Sequence, residues 1–262
     1  LVPKVSEPSE PLHIKFRPTD FADVIGQDAV VTNLERLFET QRIPQSFLFT
    51  GPSGCGKTTL LNIIAGIEES SSGEVLINGK DPELTKVGFV FQNYNESMLP
   101  WRTAMGNIKF ALEIQNPQEK ERKYAPEHLL MKVGLFEYKD KYFYELSGGM
   151  KQLVAICRAF AYNPEILLMD EPFSSLDYST TRKMELELLN VWSETNKTTI
   201  FVSHDIDEAI FLADRIIVLS KRPAKIKGVV EVNLPRPREL EILSSKNFFQ
   251  IRSAILKIFE YG

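Results

Sequence analysis

An α/β fold with a parallel central sheet is predicted by three features of the sequence. Short apolar runs alternate with helical stretches through most of the chain, the pattern of βαβ units on a parallel sheet. A glycine-rich loop, Gly51-Pro52-Ser53-Gly54-Cys55-Gly56-Lys57-Thr58, sits between one apolar run and one helical run. Another apolar run, Ile166–Met169, ends in the acidic pair Asp170-Glu171.

The elements follow in order. Leu1–Leu12 holds three prolines among Ser, Glu and Lys without periodicity and reads as a flexible tail. Val31, Leu34, Leu37 and Phe38 repeat at helical spacing within Asp28–Thr40. Ser46–Thr50 is a buried strand ending at glycine, and Thr58–Ala65 a helix, so the glycine loop has a strand before it and a helix after it. Glu74–Asn78 and Val87–Phe91 read as strands. Ser97–Tyr144 is mostly helical and turn-like, punctuated by Pro100, Trp101 and Gly106. Gln152–Ala161 is a helix stopped near Asn163-Pro164. Ile166–Met169 and Thr199–Val202 suit central parallel strands. Asp205, with Glu208 three residues on, caps a helix, Arg215–Leu219 is a strand, and Phe248–Phe259 a terminal amphipathic helix.

Bulk properties bound the function. The 262 residues, 43% hydrophobic and 25% charged, suffice for one large or two small domains with a real core. A net charge of -4 argues against a dedicated nucleic-acid binder. No apolar run approaches the roughly 18 residues a bilayer span needs, so a membrane role would come through a partner. The N-terminus shows no basic-then-apolar signal pattern, which points to the cytosol, and a start at Leu1 rather than Met reads as a fragment or processed form. Two cysteines, Cys55 and Cys157, make neither a disulfide framework nor a metal site; both read as small packed residues, with Cys55 open to oxidation in its loop.

The glycine loop fits G-x-x-x-x-G-K-[ST] at every position, the phosphate loop of P-loop NTPases. Its glycines let backbone N–H groups curl around phosphates, and the following helix adds its dipole. Lys57 is placed for the β- and γ-phosphates and Thr58 for Mg²⁺, with Thr59 beside it. At the strand end, Asp170 suits Mg²⁺ held through water, and Glu171 suits polarisation of the attacking water. Ser147-Gly148-Gly149, ahead of a helix, offers a second anion cradle, or simply a helix N-cap.

Leu146-Ser147-Gly148-Gly149-Met150-Lys151-Gln152 just before Ile166–Glu171, with the phosphate loop upstream, resembles the ATP-binding-cassette (ABC) ATPases from about Gly51 onward. That resemblance implies ATP and Mg²⁺ as cofactors and a head-to-tail homodimer in which each signature loop closes on the other subunit's ATP. It also implies roles for Gln92, which contacts Mg²⁺ and water, for His204, a switch histidine at the γ-phosphate, and for Ser174-Ser175-Leu176-Asp177 as the D-loop. Leu99-Pro100-Trp101-Arg102-Thr103, Asp205–Ala209, Arg222-Pro223 and Leu234-Pro235-Arg236-Pro237-Arg238 look like the nitrate, sulfonate and taurine importer ATPases. Such subunits lie on the inner face of the cell membrane, pair with integral permease subunits and act indirectly with an extracytoplasmic binding protein. Leu99 and Trp101 fit either a permease contact or ordinary core.

The front differs. Lys15-Phe16-Arg17-Pro18, Phe21–Asp28 and Arg42–Phe49 resemble the start of AAA+ clamp-loader ATPases, where the residues matching Val24 and Ile25 line the adenine pocket. The chain is therefore expected to be a chimera joined near Phe47–Gly51, its N-terminal ABC strands replaced by a helical segment. On that expectation Glu74–Asn78 becomes an open sheet edge. Loss of an adenine-stacking aromatic would weaken nucleotide binding by about 1–3 kcal/mol. The expected division is a tail (1–14), the clamp-loader-like segment (15–50), a nucleotide-binding core (51–92 and 154–230), a helical subdomain (93–153) and a C-terminal extension (231–262). The leading function is an ATP-hydrolysing importer subunit for a small anion such as nitrate, sulfonate or taurine. The alternatives are a clamp-loader-like DNA replication ATPase and a non-hydrolysing chimeric nucleotide-binding protein.

Overall fold

The computed structural model describes residues 46–114, 125–174, 176–195 and 197–261. Six strands form one sheet: β1 (Ser46–Thr50), β2 (Val87–Val90), β3 (Ile166–Asp170), β4 (Thr198–Ser203), β5 (Arg215–Leu219) and β6 (Ile226–Glu231), in the order β2-β3-β4-β1-β5-β6. β1 to β5 are parallel, whereas β6 runs antiparallel to β5. The sheet is thus mixed, not parallel throughout, because the short turn after β5 returns the chain to its edge.

The strands read as unbroken apolar runs because both faces are covered. Phe47 and Phe49 pack toward α1 (Lys57–Ile64) with Leu60, Leu61 and Ile64. Leu48, between them, points the other way, into a core shared with α5 (Gly148–Ala161), α6 (Tyr178–Thr195) and α7 (Ile206–Leu212). At the β2 edge Gly88 is obligatory: a Cβ there would lie 2.9 Å from Pro164 Cγ and 3.0 Å from Leu167 Cδ1.

Between β2 and α5 lies a helical region built from α2 (Tyr94–Ser97), α3 (Ala104–Glu113) and α4 (Pro126–Lys132). Its organising group is Asn107, which is fully buried. The amide donates to the carbonyls of Leu99 (3.1 Å), Arg102 (3.2 Å) and Thr103 (3.1 Å) and accepts from Leu99 N–H (2.9 Å). That staple holds the Leu99–Thr103 loop so that Trp101 stands 70% exposed, which removes the core reading of Trp101. α8 (Lys246–Tyr261) closes the chain against β6 and α7.

Several sequence expectations need correction. Glu74–Asn78 is not a strand; among the described residues its only pairing is an isolated bridge between Ile77 and Lys80. α5 starts at Gly148, four residues before the expected helix, because Ser147 caps it. Neither α6 nor β6 was expected. The tail, the helix at Asp28–Thr40 and Val24 and Ile25 lie outside the described residues. The last five residues of the 15–50 segment form β1, in the middle of the sheet between β4 and β5.

Candidate active site

Three adjacent strands end side by side, with Thr50 in register with Ser203 and Asp170 with Val202. The loops that follow, from Gly51, Glu171 and His204, therefore open on one crevice at the carboxyl edge of the sheet, where open α/β sheets bind ligands.

The phosphate loop is held from beneath. Gly51 leaves no room for a side chain, since a Cβ would meet the Leu219 carbonyl at 3.0 Å. Gly54 and Gly56 take φ of 75° and 100°, conformations that fold the loop back over the start of α1. No side chain caps that helix and its first turn holds no acid, so its positive end is left to an anion. Lys57 is buried, its ammonium donating to the carbonyls of Gly51 (2.8 Å) and Pro52 (3.1 Å). Ser53 and Gly54 are exposed, while Pro52, Thr58 and Thr59 are half-buried. Cys55 is buried, with Sγ 3.9 Å from the Lys57 ammonium, so it is packed rather than open to oxidants. Burial pushes the Cys157 thiol upward, away from reactivity.

Glu171 is where the candidates meet. Its Oε2 accepts from Gln92 Nε2 at 3.2 Å and lies 3.2 Å from His204 Nδ1. The Glu171 N–H donates to Val202 O (2.9 Å), and its backbone is left-handed, with φ of 44°. For a residue with a Cβ that conformation costs about 1–2 kcal/mol, the sort of strain that gathers at functional sites. Asp170 is buried beside it, 3% exposed at the end of β3. A hydroxyl (Thr58), a carboxylate (Asp170) and an amide oxygen (Gln92) are hard donors. Among the described residues no cluster of His, Cys, Asp and Glu could cage a metal unaided. That donor set fits Mg²⁺, which completes its shell with phosphate oxygens and water.

The signature loop is placed differently. Ser147 Oγ accepts from Met150 N–H (3.4 Å) and caps α5. Ser147 and Gly148 are exposed, whereas Gly149 is buried against Thr180 and Met184 of α6. Asp177 caps α6: its carboxylate accepts from Thr180 N–H (3.1 Å) and from the hydroxyls of Thr180 (2.6 Å) and Ser179 (2.7 Å). Those bonds, the Thr180 hydroxyl first, hold it well below the usual carboxylate range.

Sequence reading missed a buried ionisable group behind the crevice. Arg182 and Glu185 form a two-bond pair (3.0 and 2.7 Å), and Glu208 accepts from Ser203 Oγ at 2.6 Å. Burial pushes Glu185 up to about 8 against the pull of Arg182, and Glu208 up to about 7 against the Ser203 bond. Asp205 caps α7 through the amides of Asp207 (2.8 Å) and Glu208 (3.2 Å), as expected. The Glu208 side chain goes to Ser203 rather than back to the cap. Only the i, i+3 spacing of Arg182 and Glu185 could have signalled the group.

Comparison with known proteins identifies the class. The sequence profile described as ABC transporter matches residues 43–174. The chain is 46% identical over 211 residues to an uncharacterised ABC transporter ATP-binding protein of Methanocaldococcus jannaschii, covering 79% of this chain and 77% of that one. Two relatives come from Synechococcus elongatus. One is a nitrate import ATP-binding protein (43% over 213 residues, 79% of this chain and 77% of that one). The other is a bicarbonate transport ATP-binding protein (39% over 250 residues, 87% and 88%). Among solved structures, a dimeric bacterial ABC transporter cassette matches with a TM-score of 0.60 and 30% identity, over 73% of this chain and 88% of that one. A post-hydrolysis dimer of the same cassette, bound to ADP and phosphate, matches at 0.59 and 32%, over 72% and 86%.

The chain belongs to the ABC transporter family, with its cassette fold. It is an ATP-binding, ATP-hydrolysing protein. The profile match begins at Ile43, inside the segment expected to come from a clamp loader, and takes in β1. The expected chimera and its helical N-terminal replacement thus find no support. Among the described residues no helix is long and apolar enough to cross a membrane.

Proposed function

We propose that the chain powers an importer for a small anion of the nitrate, bicarbonate or sulfonate kind. The observation that carries the catalytic part is the meeting of Gln92 and His204 on one oxygen of Glu171, at 3.2 Å each. Two residues from separate loops reach the carboxylate of a third, and all three were singled out in the sequence. The relatives' transport of nitrate and bicarbonate supports the substrate class.

In this reading Lys57 and the loop amides neutralise the β- and γ-phosphates, and most of the rate comes from positioning and charge stabilisation. Glu171 orients and deprotonates the attacking water, while Gln92 and His204 fix the direction in which its carboxylate faces. Thr58, Asp170 and Gln92 would hold Mg²⁺, which when bound neutralises charge on the phosphate oxygens. Ser147, Gly148 and Gly149 of a second copy, arranged head to tail, cover the γ-phosphate, with Asp177 at the seam. Residues 51–92 and 154–230 act as the nucleotide-binding core and 93–153 as the helical subdomain facing integral permease subunits. The assembly sits on the inner face of the membrane.

The test is Glu171→Gln. Loss of a positioned general base typically costs about 10²–10⁴ in rate. The variant should lose turnover to that extent, keep ATP affinity and elute as an ATP-dependent dimer. Unchanged turnover would remove Glu171 as the base. Uptake of labelled nitrate, bicarbonate or sulfonate by vesicles holding the chain with its permease tests the substrate class.

A further inference from the structure

The segment Leu234-Pro235-Arg236-Pro237-Arg238 lies beyond the part of the chain matched by the family profile and away from the nucleotide crevice. Its arginines are not a solvated pair. Arg238 is 3% exposed, and its Nη1 donates to the carbonyls of Ile210 (3.2 Å), Phe211 (2.9 Å) and Ala213 (2.8 Å). Arg236 Nη2 donates to Leu212 O (2.9 Å), pairs with Asp214 (2.7 Å) and reaches Ser46 Oγ (3.2 Å). Its guanidinium also sits 4.1 Å from the ring centroid of Trp192 on α6. Four carbonyls at the trailing end of α7 are thus satisfied by two cations, where the helix dipole is negative. Seating Arg238 there is costly, for burial pulls its guanidinium down to about 10.

The leading end of α7 is the catalytic end. His204 immediately precedes the Asp205 cap, and Glu208, one turn in, holds Ser203 on the other side of His204 through a 2.6 Å bond. α7 is seven residues long, roughly 10 Å, and rigid on that scale, so a displacement at one end is carried to the other. Arg236 further fixes that trailing end to β1 through Ser46 and to α6 through Trp192.

We propose that Arg238, aided by Arg236, is a positioning residue for hydrolysis. The two arginines clip the rear of α7 to the sheet and thereby set the reach of His204 to Glu171. The inference rests on His204 acting at the reacting centre, as proposed above.

Steady-state hydrolysis of MgATP by the full chain tests it, in wild type, Arg238→Met, Arg238→Lys, Arg236→Gln, His204→Ala and the His204→Ala/Arg238→Met double variant. Misplacement of a catalytic group by an ångström costs up to about 10²-fold. Arg238→Met should therefore lower kcat about tenfold with KM within about twofold, and Arg238→Lys should recover part of the loss. In the His204→Ala background Arg238→Met should cost nothing more. Unchanged kcat in folded Arg238→Met, a loss confined to KM, or an equal loss in the His204→Ala background would each overturn the clip. If Arg238→Met does not fold by circular dichroism, the half-exposed Arg236→Gln, alone and with His204→Ala, decides on the same criteria. Wild-type kcat in His204→Ala would overturn the catalytic reading of His204 instead, and the clip with it.

Discussion

Two glycine-rich loops at helix N-termini, both proposed above as anion cradles, are finished to different degrees. The phosphate loop is completed from within: Gly51 is pressed on Leu219, and the Lys57 ammonium is held by two carbonyls of its own loop. Glu171, Gln92 and His204 gather at the same edge of the sheet. The signature loop has one buried glycine as an anchor, while Ser147 and Gly148 face solvent. No described lysine or arginine is bonded to that loop's side chain, which caps its own helix. A cradle with its charge built in can bind alone; one with only amides and a hydroxyl needs a ligand already held elsewhere. This asymmetry is what a head-to-tail pair of cassettes would use.

The sharpest way to break the comparison is to disable each cradle separately. Lys57→Ala removes the cation of the first. With a charge-assisted bond worth about 1.5–3 kcal/mol, ATP should bind roughly 10- to 150-fold more weakly by titration calorimetry, and hydrolysis should fall further. Unaltered affinity would show that the loop amides suffice. Ser147→Arg puts bulk on the second cradle. Binding of ATP to the single chain should stay within about twofold, whereas hydrolysis should fall about 10- to 100-fold and lose its steep dependence on protein concentration. A loss of affinity equal to that of Lys57→Ala would erase the distinction between the two.

A smaller effect sharpens the comparison through pH. Behind the first cradle lie buried carboxyls, while the acids near the second are solvated: Glu145 is held below the usual range chiefly by the Tyr142 amide. Glu208, raised by burial from 4.5 to about 7, keeps its proton in the folded chain where the unfolded chain has lost it. Folding therefore takes up a proton between those values, and stability falls as pH rises through that window, with the penalty complete above it. Glu208→Gln keeps the Ser203 bond and removes the titration. Its Tm should gain on wild type by roughly a few degrees between about pH 5 and about pH 8. Parallel melting curves across that range would show that Glu208 does not titrate there.

The comparison also explains what the sequence made legible. β1 and β3 are continuous apolar runs that end in glycine and acid, and the apolar run of β4 ends at Ser203-His204, so all three strands and the loops after them could be read directly. α6 could not, because Arg182 and Glu185 are buried as a pair and interrupt the apolar stripe of Met184, Leu188 and Val191 with charge. β6 hides for a related reason: Lys227 and Gly228 break the run of Ile226, Val229 and Val230 on this edge strand. Its antiparallel direction is a property of the turn before it. Glu74–Asn78 has strand composition, but composition makes a strand only where a neighbour offers hydrogen bonds, and Ile77 finds just Lys80. The meeting of Gln92 and His204 on Glu171 depends on register between strands far apart in sequence, which no local pattern encodes.

The left-handed backbone at Glu171 sets a limit on engineering the protein. Glycine would occupy that position with less steric conflict, so a search for thermostable variants that scored folding alone would be drawn to it. The sturdier molecule would have discarded the carboxylate proposed to activate water, and on that proposal durability and turnover would have been traded at a single residue.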